Sequence, residues 1–168
     1  MDALRAAAVA AAVAGPAAAE ERALDPAWGF VADTVMGGVS EGSVTHDGGA
    51  ARLRGRVSLE NDGGFIQMAS DLDLDATGWT GIAFEARGNG ETYELRLRTD
   101  DLARPWQSFR APFAAGADWA EVRLPFDGFE AHRTDAALDL SAIRRVGVVA
   151  VGRAFAVDVA ARGLRLYR

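Results

Sequence analysis

Ala51-Arg52-Leu53-Arg54-Gly55-Arg56-Val57-Ser58-Leu59 alternates small or apolar residues with arginine, and Tyr93-Glu94-Leu95-Arg96-Leu97-Arg98-Thr99 keeps the same rhythm. A two-residue period puts one face of a strand on a core and the other in water. Between these stretches, Gly81-Ile82-Ala83-Phe84-Glu85-Ala86-Arg87 reads as another strand. It is joined to the Tyr93 strand through Gly88-Asn89-Gly90, where Asn-Gly favours the positive backbone angles of a type I′ hairpin. Further strands are expected at 44–46, 65–68, 106–111, 120–124, 146–151 and 155–167, with a short helix only at 136–144. Many short strands with 19 Gly and little helix predict a mostly β chain, a single antiparallel β-sandwich or jelly roll. Neither a linker nor an internal repeat divides it.

The 168 residues suit one compact domain. Eighteen basic residues against 24 acidic ones leave a net charge of −6, which disfavours nucleic acid as a partner. Every basic side chain apart from two His is Arg, and there is no Cys. Disulfides, thiolate metal sites and thiol nucleophiles are therefore excluded.

Residues 1–19 have the order of a secretory signal peptide: Arg5, an apolar run through Ala14, then Ala17-Ala18-Ala19 as a small-residue cleavage site. Asp2 offsets Arg5, and only Val9 and Val13 deepen a run that is mostly Ala. The run is too short to span a membrane, which takes about 20 apolar residues. Cleavage would make residues 20–168 the mature domain, periplasmic or secreted, without a transmembrane segment. An uncleaved chain would be cytoplasmic.

Motif matches to catalysis fail on context. Gly38-Val39-Ser40-Glu41-Gly42 fits the G-x-S-x-G pattern of serine hydrolases, but Ser43-Val44-Thr45-His46 continues as a strand where that fold needs a helix. Asp71-Leu72-Asp73-Leu74-Asp75 resembles the start of an EF-hand loop, yet the sixth position is not Gly and the twelfth is Ile82. It reads instead as a solvated edge strand with Leu72 and Leu74 inward; a structural calcium in these loops is the lesser alternative. Gly88-x-Gly90 opens a strand and lacks the third Gly of a dinucleotide fingerprint. With His46 and His132 far apart, no transition-metal cluster is expected. The expectation is no catalytic residue, metal or cofactor.

Asp33-Thr34-Val35-Met36-Gly37-Gly38-Val39-Ser40, followed by Leu53-x-Gly55-x-Val57-Ser58-Leu59-Glu60-Asn61-x-Gly63-Gly64-Phe65, resembles the signature of the complex I intermediate-associated protein 30 family. The likeness continues through Arg87-Gly88-Asn89-Gly90, Tyr93, Phe109, Phe113, Trp119, Pro125-Phe126 and Phe155, so it covers about Trp28 to Tyr167. Ile66-Gln67-Met68-Ala69 departs from the family, which usually places an Arg there. Arg133-Thr134 and Gly152-Arg153-Ala154-Phe155 depart as well. The resemblance implies a galactose-binding-like jelly roll without known catalysis, whose mitochondrial members act as chaperones in assembling respiratory complex I. A protein partner, with complex I subunits as the named case, is implied with it. That role needs access to the matrix-side arm, which faces the cytoplasm in a bacterium. A cleaved signal peptide would instead favour a periplasmic carbohydrate- or envelope-binding module with a glycan partner.

Gly37, Gly38, Gly63 and Gly64 read first as turn and bulge positions. Asp33, Ser40, Glu60 and Asn61 can bond backbone groups in such turns, with Asp33 and Asn61 kept as ligand or partner candidates. Arg87, Arg96 and Arg98 are the cationic candidates. Arg96 and Arg98 share a strand face, and with Trp106 or Gln107 they would join bidentate donors to a stacking plate. Tyr93 and Phe109 are the other aromatics that could line a sugar groove. Trp28, Trp79 and Trp119 are assigned to the core and sheet edges.

Overall fold

The computed structural model describes residues 19–168. The cleavage reading of residues 1–19 falls almost wholly outside that range. Among the described residues twelve strands form: β1 (Glu21–Ala23), β2 (Gly29–Ala32), β3 (Glu41–Asp47), β4 (Ala50–Val57), β5 (Phe65–Leu74), β6 (Gly81–Gly88), β7 (Thr92–Thr99), β8 (Ser108–Ala114), β9 (Ala120–Pro125), β10 (Glu130–His132), β11 (Ile143–Val151) and β12 (Phe155–Tyr167). The first sheet runs β3-β4-β12-β6-β9, with β1 pairing the end of β12 that β4 leaves free. The second runs β10-β8-β7-β11-β5-β2. Every pairing is antiparallel, and the two sheets face each other as the expected jelly-roll sandwich.

The alternation in sequence explains the layers. Leu53 and Val57 of β4, Phe84 of β6, Leu95 and Leu97 of β7 and Val159 of β12 meet in one core, while the intervening arginines stay outside. Phe84 meets Phe113 edge-on, with ring centroids 5.1 Å apart. Leu74 is buried and Leu72 packs partly on the core, so the Asp71–Asp75 stretch has the apolar-inward alternation expected of it. Asp71 and Asp73 lie beside Arg145 and Arg144, at 2.7 and 3.1 Å.

Two local expectations are corrected. β6 and β7 do not form a hairpin, because they belong to opposite sheets. The backbone amides at Gly88, Asn89 and Gly90 donate to Gly116, Asp158 and Ala115, so the loop is pinned to third segments as it crosses the sandwich. Tyr93 secures it further: its hydroxyl donates to Asn89 Oδ1 at 2.6 Å and accepts from Asp158 N at 3.1 Å. Nor does 136–144 form a helix. Ala136, Leu138 and Leu140 pack on the core with exposed Ala137 between the first two, an extended period of two. Asp139 caps only a single 3-10 turn, Leu140–Ala142, before β11 begins.

Candidate functional site

The two glycine-rich turns of the signature meet at one end of the sandwich, and a single carboxylate joins them. Asp33 is fully buried. Its Oδ1 accepts from Ser40 N at 3.0 Å; its Oδ2 accepts from Ser40 Oγ at 2.5 Å, Gly64 N at 2.6 Å and Phe65 N at 3.4 Å. Burial pushes this carboxyl up, but the Ser40 hydroxyl and the Gly64, Ser40 and Phe65 amides outweigh it and hold the group below the usual carboxylate range. Gly38 and Gly63 flank the carboxylate so closely that a methyl group at either would collide with it. Gly37, at φ 87°, closes the 3-10 turn Asp33–Met36.

Ser40, the serine of the hydrolase-like pattern, is buried in the same knot. Its hydroxyl is bonded to Asp33 and accepts from Ser58 N at 2.9 Å. Asp33 thus belongs to the architecture of the turns rather than to a surface that a ligand would meet, which corrects its candidacy. Asn61 sits exposed at φ 57° on the tip of the second turn.

Beside the polar Thr34, Glu60, Asn61 and Asp62, the knot also presents apolar side chains to solvent. Val35 and Met36 on the first turn are 74% and 60% exposed, Val39 follows at 41%, and Leu59 on the second turn is 52% exposed. Leu59 leans against Gly64, and Phe30, itself over a third exposed, packs beside Gly42. The signature turns therefore carry four exposed apolar side chains, an apolar rim interrupted by polar neighbours.

The remaining candidates fall on two different faces. Arg96 and Arg98 point outward from β7 on the second sheet, as their spacing predicts. Arg96 Nε donates to Glu94 at 2.6 Å, and Arg110 approaches the other oxygen of that carboxylate at 3.6 Å. Arg98 donates to the backbone oxygens of Leu102, Arg104 and Gln107 at 3.0 to 3.3 Å, so it binds its own loop. That loop carries Trp106, 52% exposed, with Arg104 stacked 5.8 Å from its ring. His132 on β10 lies in the same region. Burial, with the charges of Arg110, Arg96 and Arg133, pushes its imidazole below the usual histidine value. Tyr93 and Phe109 are corrected as groove residues: they are 1% and 2% exposed and face the core.

Arg87 stands on the first sheet, away from Arg96 and Arg98, with its guanidinium 4.8 Å from the ring centre of Trp119. Arg162 covers Trp119 as well, at 4.0 Å, which makes that residue a sheet-edge side chain; Trp28 and Trp79 pack partly buried on the core. Among the described residues, no three His, Asp or Glu converge as metal ligands, and no helix is long and apolar enough to cross a membrane.

The pattern that built the knot extends through the chain: the family model for complex I intermediate-associated protein 30 matches residues 18–159. The chain belongs to the complex I intermediate-associated protein 30 family. No curated protein is detectably similar to it in sequence. Among solved structures, this family member is similar to the family 11 carbohydrate-binding module of the cellulosomal cellulase Lic26A-Cel5E of Clostridium thermocellum. The TM-score is 0.73 and the identity 15%, over 88% of this chain and 94% of that one. The family 30 carbohydrate-binding module of cellulase Cel9D-Cel44B from the same organism matches at TM-score 0.60 and 13% identity, over 88% and 96% of the two chains. At such identities the likeness shows the fold, a jelly roll of the galactose-binding type.

Sequence reasoning brought together the arginines of β7 and the Trp106 loop, and Arg87, a candidate in its own right, stands on the other sheet. It missed the apolar rim. The available cue was Val35, Met36 and Val39 set around a Gly-Gly turn, where apolar side chains lack a strand to turn them inward.

Proposed function

We propose that this chain is a non-catalytic, protein-binding member of the complex I intermediate-associated protein 30 family, acting in assembly of a respiratory complex. The observation that carries this reading is the exposed apolar rim of Val35, Met36, Val39 and Leu59, held in place by Asp33. Isolated exposed apolar residues are ordinary, and four of them on two turns joined by one carboxylate support a contact surface there. Family membership supports a protein partner, and complex I subunits are the first to test. The non-catalytic part rests on Ser40, whose hydroxyl is spent on Asp33 and Ser58.

A gentle pull-down from native membranes tests the assembly role. Wild type is expected to recover complex I subunits, and Met36→Ser/Leu59→Ser is expected to lose them. Recovery of none by wild type would sink the reading.

A second reading, glycan binding, is favoured by one side chain: Trp106, half exposed on the loop that Arg98 pins, is a ready stacking plate. A glycan array comparing wild type with Trp106→Ala decides it, since equal signals from both would remove that site. Compartment separates the two readings. Periplasmic recovery of a shortened chain favours the glycan, and an intact cytoplasmic chain favours assembly.

A further inference from the structure

The outer face of the first sheet gathers guanidinium groups. Arg52, Arg54 and Arg56 occupy alternate outward positions of β4, opposite Ala160, Asp158 and Ala156 of β12. Arg87 of β6 lies on the far side of β12, also opposite Ala160. One carboxylate serves the centre of this group. Arg52 holds Asp158 by two contacts of 2.8 and 2.7 Å, and Arg54 Nε lies 3.9 Å away. The Arg52 hydrogen bond, opposed by burial and aided by the charges of Arg52, Arg54 and Arg87, keeps the Asp158 carboxyl below its ordinary value.

Arg56 faces Glu41 in the strand register. Among the described residues, neither Arg56 nor Arg87 has a carboxylate at ion-pair distance, while Arg54 is about two-thirds exposed. Arg52, Arg87, Gly88, Ala117, Asp158 and Ala160 line a shallow cavity of about 290 Å³ between these side chains. Successive guanidiniums on β4 are rooted about 6.7 Å apart, inside a screening length of about 10 Å, and repel, in a protein whose net charge is −6. An incoming anion relieves that repulsion. The spacing says what kind. Alternate residues of β4 recur every 6.7 Å or so, the same interval at which an extended peptide presents every second side chain, and a guanidinium pairs with a carboxylate bidentately.

We propose that this face binds an extended acidic segment of a partner protein, with carboxylates at alternate positions seated on Arg56, Arg54 and the outer side of the Arg52–Asp158 pair. The site lies on a different surface from the apolar rim and holds whether or not the rim binds complex I subunits.

Fluorescence anisotropy with the full chain and a labelled Glu-Ser-Glu-Ser-Glu-Ser peptide at about 50 mM salt tests it, a condition under which surface charge is only partly screened. Wild type is expected to bind, and Arg54→Gln/Arg56→Gln to bind about tenfold more weakly, equivalent to about 1.4 kcal/mol. Both side chains stand outside the core, so the variant keeps its fold, which thermal unfolding verifies. Arg104→Gln/Arg133→Gln removes the same charge elsewhere and is expected to leave affinity within about twofold. A Glu-Glu-Glu-Ser-Ser-Ser peptide of equal charge is expected to bind more weakly. No binding by wild type, equal losses in the two variants, or equal affinity for the two peptides would each overturn the proposal.

Discussion

A carboxylate sealed from water persists only where donors surround it, and Asp33 has the Ser40 hydroxyl and three backbone amides. Asp33→Ala strands those donors and is expected to cost about 3 kcal/mol, read as a lower urea midpoint at neutral pH. Because the folded carboxyl sits below its unfolded value, its contribution is complete above the unfolded pKa and disappears as pH falls through the folded one. Wild type and Asp33→Ala should therefore converge in strongly acidic urea titrations; a constant gap down to the lowest pH would contradict this. His132 obeys the same sign for a different reason. Burial and neighbouring arginines favour its neutral form, so its stabilising effect is full above the unfolded value near 6.5 and falls below it. In an NMR titration of the His46→Ala variant, which leaves His132 as the one imidazole, His132 should turn over at lower pH than the histidine of an unfolded control peptide; an equal or higher midpoint would contradict this. The glycines and the backbone-bonding role of Asp33 were legible in sequence, because Gly-Gly beside an acid signals a tight turn. That one carboxylate would knit two turns some thirty residues apart was not, since sequence spacing carries no information on which turns meet.

At the scale of elements, Arg98 shows why a correct strand face does not by itself make a site. Its parity with Arg96 was readable from the two-residue period, yet its guanidinium is taken up by the carbonyls of Leu102, Arg104 and Gln107. Arg98→Met should release this loop, raising amide exchange at Gln107 by about tenfold while β7 stays protected. Unchanged exchange at Gln107 would show that the loop is held by other contacts. The hairpin and helix errors have the same origin. Asn89-Gly90 has the chemistry of a two-residue turn, but the amide donors of the loop find Asp158, Ala115 and Gly116 instead. Ala-rich 136–144 has helical propensity, but Ala136, Leu138 and Leu140 gain more by packing in alternation on the core than a helix of that length would return.

Across the whole molecule, alternation over many short strands was enough to predict a two-sheet β fold, because each strand's apolar face had to find a partner sheet, and the family resemblance supplied the jelly roll. The order of strands within the sheets was not readable, and with it went the distribution of the candidates: Asp33 and Asn61 at one end, Arg96, Arg98 and Trp106 on one sheet, Arg87 on the other. The molecule thus carries two surfaces of contrasting chemistry, an apolar rim at the signature turns and a guanidinium track on β4, around a knot of buried hydrogen bonds. Such a layout suits contact with another protein more than turnover of a small substrate. The most direct test of that claim places a photo-crosslinking residue at Met36, with the same residue at Trp106 for comparison, and illuminates cells under native expression. A protein adduct at position 36 containing a complex I subunit is the predicted result. No protein adduct at position 36, whatever forms at 106, would contradict the account.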